Sequence, residues 1–183
     1  MKSSAERALG ELLQLAYSGE LAAAYAYRGH WKSSRRSEER EQIRVIEEEE
    51  WHHRRQVGEM LTQLGLAPDP KRELRARIIG RTLGALCWVS GWLAPMLGAG
   101  ALERRNVFEY TSAAGFARDC KRTEWIDCLL VMAEVEWEHE AYFRSRVLDH
   151  WLGRRLPLWP QPGPKAQIRE DFVSPTATLL PTA

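Results

Sequence analysis

The chain has 183 residues, enough for one domain with a substantial buried core. Its 26 lysines and arginines against 25 aspartates and glutamates leave a formal charge of +1, so nothing in the balance points to nucleic acid. Cys87, Cys120 and Cys128 form no Cys-x-x-Cys and no even set, which excludes a disulfide framework and a zinc site and leaves them as small buried apolar residues.

Residues 5 to about 31 read as a first helix, with Leu9, Leu13, Ala16, Ala23 and Tyr27 at helical spacing and no proline between them. The start of the chain, MKSSAERALGEL, lacks the apolar stretch of a secretory signal, so a cytoplasmic location is expected. Ser37, followed by Glu38 and Glu39, suits the start of a second helix, because acidic groups favour the dipole there. Gly65, Pro68 and Pro70 end that helix near Leu64.

A basic stretch follows, with Lys71, Arg72, Arg75, Arg77 and Arg81, and then an uncharged one from Thr82 to Leu102 carrying Trp88 and Trp92. Gly84, Gly91, Pro95, Gly98 and Gly100 interrupt the uncharged part. A basic flank beside a tryptophan-bearing apolar segment predicts a helix lying in a membrane interface, ahead of a buried crossover and well ahead of a span. Two more helices are expected over roughly 101–119 and 124–152. Residues 1–152 thus form the bundle, and 153–183 a proline-rich tail (Pro157, Pro160, Pro162, Pro164, Pro175, Pro181) that cannot continue the last helix and wraps the surface or is disordered.

Apolar periodicity also sorts the acids. In the second helix Ile43, Ile46, Val57, Met60 and Leu64 mark one face, and Glu50 and His53 complete that series, one residue off Glu49 and His52. The rest of the Glu47–Glu50 run is read as a solvated face. Glu20 falls between Ala16 and Ala23; Glu109 follows Leu102 and precedes Ala113 and Phe116; Glu136 and His139 share a row with Leu129, Met132, Phe143 and Val147.

Each helix therefore aims a carboxylate at the core, and two add a histidine one turn later. Isolated buried carboxylates cost several kcal/mol each, so four of them need a common counter-charge. Two ferrous ions supply it. One Glu from each of two helices plus Glu-x-x-His from each of the other two is the di-iron carboxylate pattern, here Glu20, Glu50, His53, Glu109, Glu136 and His139. Glu20 lies 30 residues before Glu50 and Glu109 lies 27 before Glu136, so the two halves form a pseudo-repeat. His30, His52 and His150 read as structural or partly exposed, Glu134, Glu138 and Glu140 as solvated or supporting groups, and Tyr27, Trp51, Trp125 and Trp137 as packing aromatics. No glycine-rich nucleotide fingerprint opens a helix, so electrons must come from a donor outside the chain.

The segment Ser18-Gly19-Glu20-x-x-Ala23-x-x-x-Tyr27-x-Gly29 resembles the first-helix motif of the demethoxyubiquinone hydroxylases, a ubiquinone-biosynthesis branch of the ferritin-like superfamily. Glu50-x-x-His53, Leu97-Gly98-Ala99-Gly100, Glu109 and Glu136-x-x-His139 extend the resemblance over about residues 10 to 145. It departs at Ala114 and Gly115, five and six positions after Glu109, where the family usually carries a histidine. It departs too in a shorter connection before Glu136, and in the proline-rich tail that replaces a final hydrophobic helix.

The resemblance implies an all-α, ferritin-like four-helix bundle with a hydrophobic crossover between its second and third helices. It also implies two iron ions, O2 as co-substrate, and hydroxylation of a lipophilic quinone ring. Residues 82–102 would then touch the inner face of the membrane, with no nucleic-acid partner, and self-association is left open. The competing expectations are a ferritin- or rubrerythrin-like iron oxidase or peroxide scavenger, a hydroxylase of a non-lipid substrate such as modified RNA, and a non-catalytic membrane-associated bundle.

Overall fold

The structure is a computed structural model that describes residues 3–173, and Pro175 and Pro181 of the tail lie outside the described residues. It is helical throughout the described residues: α1 (Ser4–Ser33), α2 (Ser37–Gln63), α3 (Pro70–Leu86), α4 (Leu93–Asp119), α5 (Thr123–Asp149), a short 3-10 turn (Gly153–Arg155) and α6 (Gln167–Val173). Ser3 caps α1 by accepting from the Glu6 N–H, and Asp69 caps α3 ahead of Pro70. Gly65, at φ 66°, closes α2 with the left-handed turn that the sequence predicts.

Helices α1, α2, α4 and α5 form the bundle. α1 packs on α2 and α4, and α4 packs on α5. α2 and α5 meet across the middle through side chains, His53 with Glu136 and His139 with Glu49. Each bundle helix carries a long apolar stripe broken once by polar residues, and the breaks fall at one level. Above and below that level lie two apolar clusters. One contains Leu9, Leu13, Val57, Leu61, Trp125 and Leu129; the other contains Tyr27, Ile43, Ile46, Met96, Phe143 and Val147. The fold thus encloses a polar layer between two dry plugs.

The uncharged segment 82–102 is not one element. It comprises the end of α3, a turn through Gly91, and the first turns of α4, which begins at Leu93 and not near residue 101 as the pattern predicts. α3 packs along α1 through Ala76, Gly80 and Gly84. A Cβ on Gly84 would lie 2.8 Å from the Tyr25 carbonyl, and one on Gly80 would lie 2.4 Å from the Ala22 carbonyl. Glycine is required there because the two backbones nearly touch. The outer side of α3 exposes Leu74, Ile78, Ile79, Leu83 and Leu86, and the turn exposes Trp88 and Val89. No helix among the described residues is long and apolar enough to cross a membrane.

The tail includes the short helix α6, since Ala166 to Val173 contains no proline. It lies along the α4–α5 hairpin: Trp159 donates to Glu140, Trp137 donates to the Gly163 carbonyl, and Arg169 bridges Glu134 and Asp127.

Candidate metal centre

The polar layer is built from α1, α2, α4 and α5. Two overlapping sets bring their ligand atoms within 4.8 Å of one another: Glu20, Glu50, His53 and Glu136, and Glu50, Glu103, Glu136 and His139. All six side chains are buried. Glu50 and Glu136 belong to both sets, which places them at the centre of the cage.

Five of the six residues expected from the sequence are therefore brought together. Glu109 is not. It is partly buried on the flank of α4, paired with Arg105 at 2.7 Å, and Glu103 takes its place in the cage. The error is one of phase. Leu102 and Phe108 are exposed, and the buried stripe of α4 runs through Met96, Ala99, Gly100, Glu103, Tyr110, Ala113, Ala114 and Ala117. One signal in the sequence does find Glu103: it stands seven residues before Tyr110, as Glu20 stands seven before Tyr27. Counted from Glu103, the positions at which the family usually carries histidine become Phe108 and Glu109, so the departure persists.

The tyrosines cross over. Tyr27 of α1 donates to Glu103 of α4, and Tyr110 of α4 donates to Glu20 of α1. Asn106, one turn beyond Glu103, donates to it at 2.9 Å and reaches Glu136 at 3.5 Å. His53 Nδ1 lies 2.9 Å from Glu136 Oε1. His139 turns Nδ1 toward Glu50 and Glu136, each at 3.4 Å, while its Nε2 lies 2.8 Å from Glu49. Glu49 thus orients the His139 ring: a carboxylate on one ring nitrogen fixes which nitrogen faces inward.

Electrostatics separate this cage from the other buried acids. Glu47 is buried, against the expectation of a solvated residue, and it is satisfied by Arg28 together with the indoles of Trp31 and Trp51. Glu39 accepts from Trp92 and Arg36. In the cage, by contrast, both carboxylate oxygens of Glu50, one of Glu20, and Nδ1 of His139 are buried with no hydrogen-bond partner. Burial, followed by the neighbouring Glu50, pushes the Glu20 carboxyl well above the usual range, and burial followed by Glu136 does the same to Glu103. Burial also opposes charge on Glu136, yet the adjoining imidazoles of His139 and His53 outweigh it and hold that carboxyl below the usual range. Unpaired acceptors converging in a buried layer are costly, and a cation at each set would satisfy them. Carboxylate and imidazole donors suit iron of the di-iron carboxylate type.

Fold and site together define a ferritin-like helical bundle with a buried carboxylate–histidine cage able to hold metal. The family model for the ubiquinone biosynthesis protein COQ7 matches residues 7–111, more than half of the chain. The chain belongs to that family, whose role is in ubiquinone biosynthesis, generally as a hydroxylase. No curated protein and no solved structure matches it. The matched region contains Glu20, Glu50, His53 and Glu103; Glu136 and His139 lie beyond it and rest on the geometry of the cage.

Proposed function

We propose that the protein is a di-iron monooxygenase that hydroxylates a lipophilic quinone-type ring. The observation that carries this reading is the convergence of unpartnered buried carboxylate oxygens and a histidine nitrogen on two overlapping ligand sets. Family membership supports the biosynthetic role.

Glu20, Glu50, His53 and Glu136 would hold one ion, and Glu50, Glu103, Glu136 and His139 the other. Bound iron would supply the redox chemistry that activates O2. In the overall change, ring C–H, O2, two electrons and two protons give C–OH and water, the electrons coming from a donor outside the chain. The chain's own contribution is positional. Tyr27 and Tyr110 hold Glu103 and Glu20 from the opposite helix, and Glu49 orients His139. The two apolar plugs keep bulk water from the layer between them. The exposed apolar residues of α3, with Arg75, Arg77 and Arg81 among them, suit peripheral contact with a membrane that holds such a substrate.

Iron analysis after anaerobic reconstitution should find about two metals per chain, lost on combining Glu50→Ala with Glu136→Ala. A chain that takes up no transition metal would sink the oxygenase reading and the peroxide-scavenger alternative alike. Quinone profiling of a strain lacking the protein should then show an accumulated ring precursor missing one hydroxyl. A normal quinone profile with intact metal binding would instead favour the scavenger. Loss of vesicle flotation on replacing Leu83, Leu86 and Trp88 by serine tests the membrane contact.

A further inference from the structure

The end of the bundle away from the α2–α3 turn contains a cavity of about 810 Å³, walled by the α1–α2 turn, the α3–α4 turn and the end of α5. The local sequence explains its character: the turn reads Lys32-Ser33-Ser34-Arg35-Arg36, and Arg40 follows one turn into α2. Lys32, Arg35, Arg36, Arg40 and Arg146 line it. Two carboxylates answer these five cations, Asp149 at 2.6 Å from Arg146 and Glu39 at 3.2 Å from Arg36. Arg40 spends one nitrogen on the Ser34 carbonyl. The surplus positive charge at this mouth favours an anion over a cation.

A second observation points the same way. Ser34 is buried in this wall, its backbone N–H fixed on the His30 carbonyl, yet its hydroxyl has no partner. α2 opens at the rim with no side-chain cap on its first N–H groups, although Glu38 and Glu39 lie in its first turn. An aromatic wall completes the site, with Trp92 held by Glu39 and stacked on His150 at 5.4 Å.

We propose that this cavity binds a phosphate-bearing ligand, its oxygens taken by Arg35, Arg40 and the Ser34 hydroxyl and its organic part lying against Trp92. Guanidinium groups match phosphate oxygens in pairs, and a hydroxyl donor completes a tetrahedral anion. The chemistry is shared by a free phosphate ester and a lipid headgroup. The site is separate from the metal cage, and its test does not depend on iron.

The test is calorimetric titration of the full chain with inorganic pyrophosphate, with ADP, and with phosphatidylglycerol vesicles against phosphatidylcholine ones. Binding should weaken at least tenfold in Arg35→Glu/Arg40→Glu and severalfold in Ser34→Ala. It should persist in Arg55→Glu, 15 residues farther along α2 and about 22 Å from Arg40. Binding of pyrophosphate or ADP assigns a free phosphate ester; binding of phosphatidylglycerol vesicles alone assigns a headgroup. Absence of binding to all three, or equal weakening by Arg55→Glu, overturns the proposal. If the double variant loses helical circular dichroism, Arg35→Gln, at an exposed position, carries the test under the same criteria.

Discussion

An acid on each of α1 and α4 meets a tyrosine from the other helix, and this exchange is the residue-scale device that positions the outer carboxylates. Replacing Tyr110 by Phe removes the donor to Glu20 and leaves that acid free to turn. Groups that orient metal ligands typically change affinity by 10- to 100-fold, so competition with a chelator should show iron bound about tenfold more weakly in Tyr110→Phe. The distinction between Glu103 and Glu109 is testable in the same currency of metal content. Glu103→Ala should lower iron from about two to about one per chain or less, whereas Glu109→Ala, which removes only a flank pair with Arg105, should leave about two. The sequence exposes Glu20, Glu50, His53, Glu136 and His139 because each completes an apolar stripe. It misleads at α4, where the row of Leu102, Ala113 and Phe116 that selects Glu109 starts from a leucine that faces outward.

At the scale of elements, α3 is held to α1 by backbone approach more than by interlocking side chains. A side chain at Gly84 or Gly80 must push the helices apart, so Gly84→Val should cost about 3 kcal/mol or more in urea unfolding. Gly115, on α4 with nothing within 4 Å of an added Cβ, gives the opposite expectation: Gly115→Ala should stabilise by roughly 0.5–1 kcal/mol through helix propensity alone. Composition could suggest that 82–102 was apolar and interrupted. It could not divide that segment between two helices, because the glycines that look like breaks are contact points for α1 in one case and a turn in the other.

For the molecule as a whole, burial sets a pH response that no single helix contains. His30 sits against Tyr27 and Phe143 where the first helix meets the fifth, and burial pushes its imidazole down to about 4. The unfolded imidazole takes up its proton near 6.5, the folded one only near 4, so the unfolded state binds more protons between those values and stability falls as pH falls. Wild type should lose about 3 kcal/mol relative to His30→Phe between pH 6.5 and 4, and nothing relative to it above that window. Chemical denaturation of both chains across that range checks it.

What the sequence determined by itself is the helical bundle, the Glu-x-x-His pairs and the family, since periodicity and motif spacing are local properties of one helix at a time. The rotation of α4 that chose Glu103, the crossed tyrosines, the burial of Glu47 and the basic cavity at the bundle's end were decided only by tertiary structure. Each depends on which neighbouring helix a side chain faces, and helical spacing fixes a face without saying what lies opposite it.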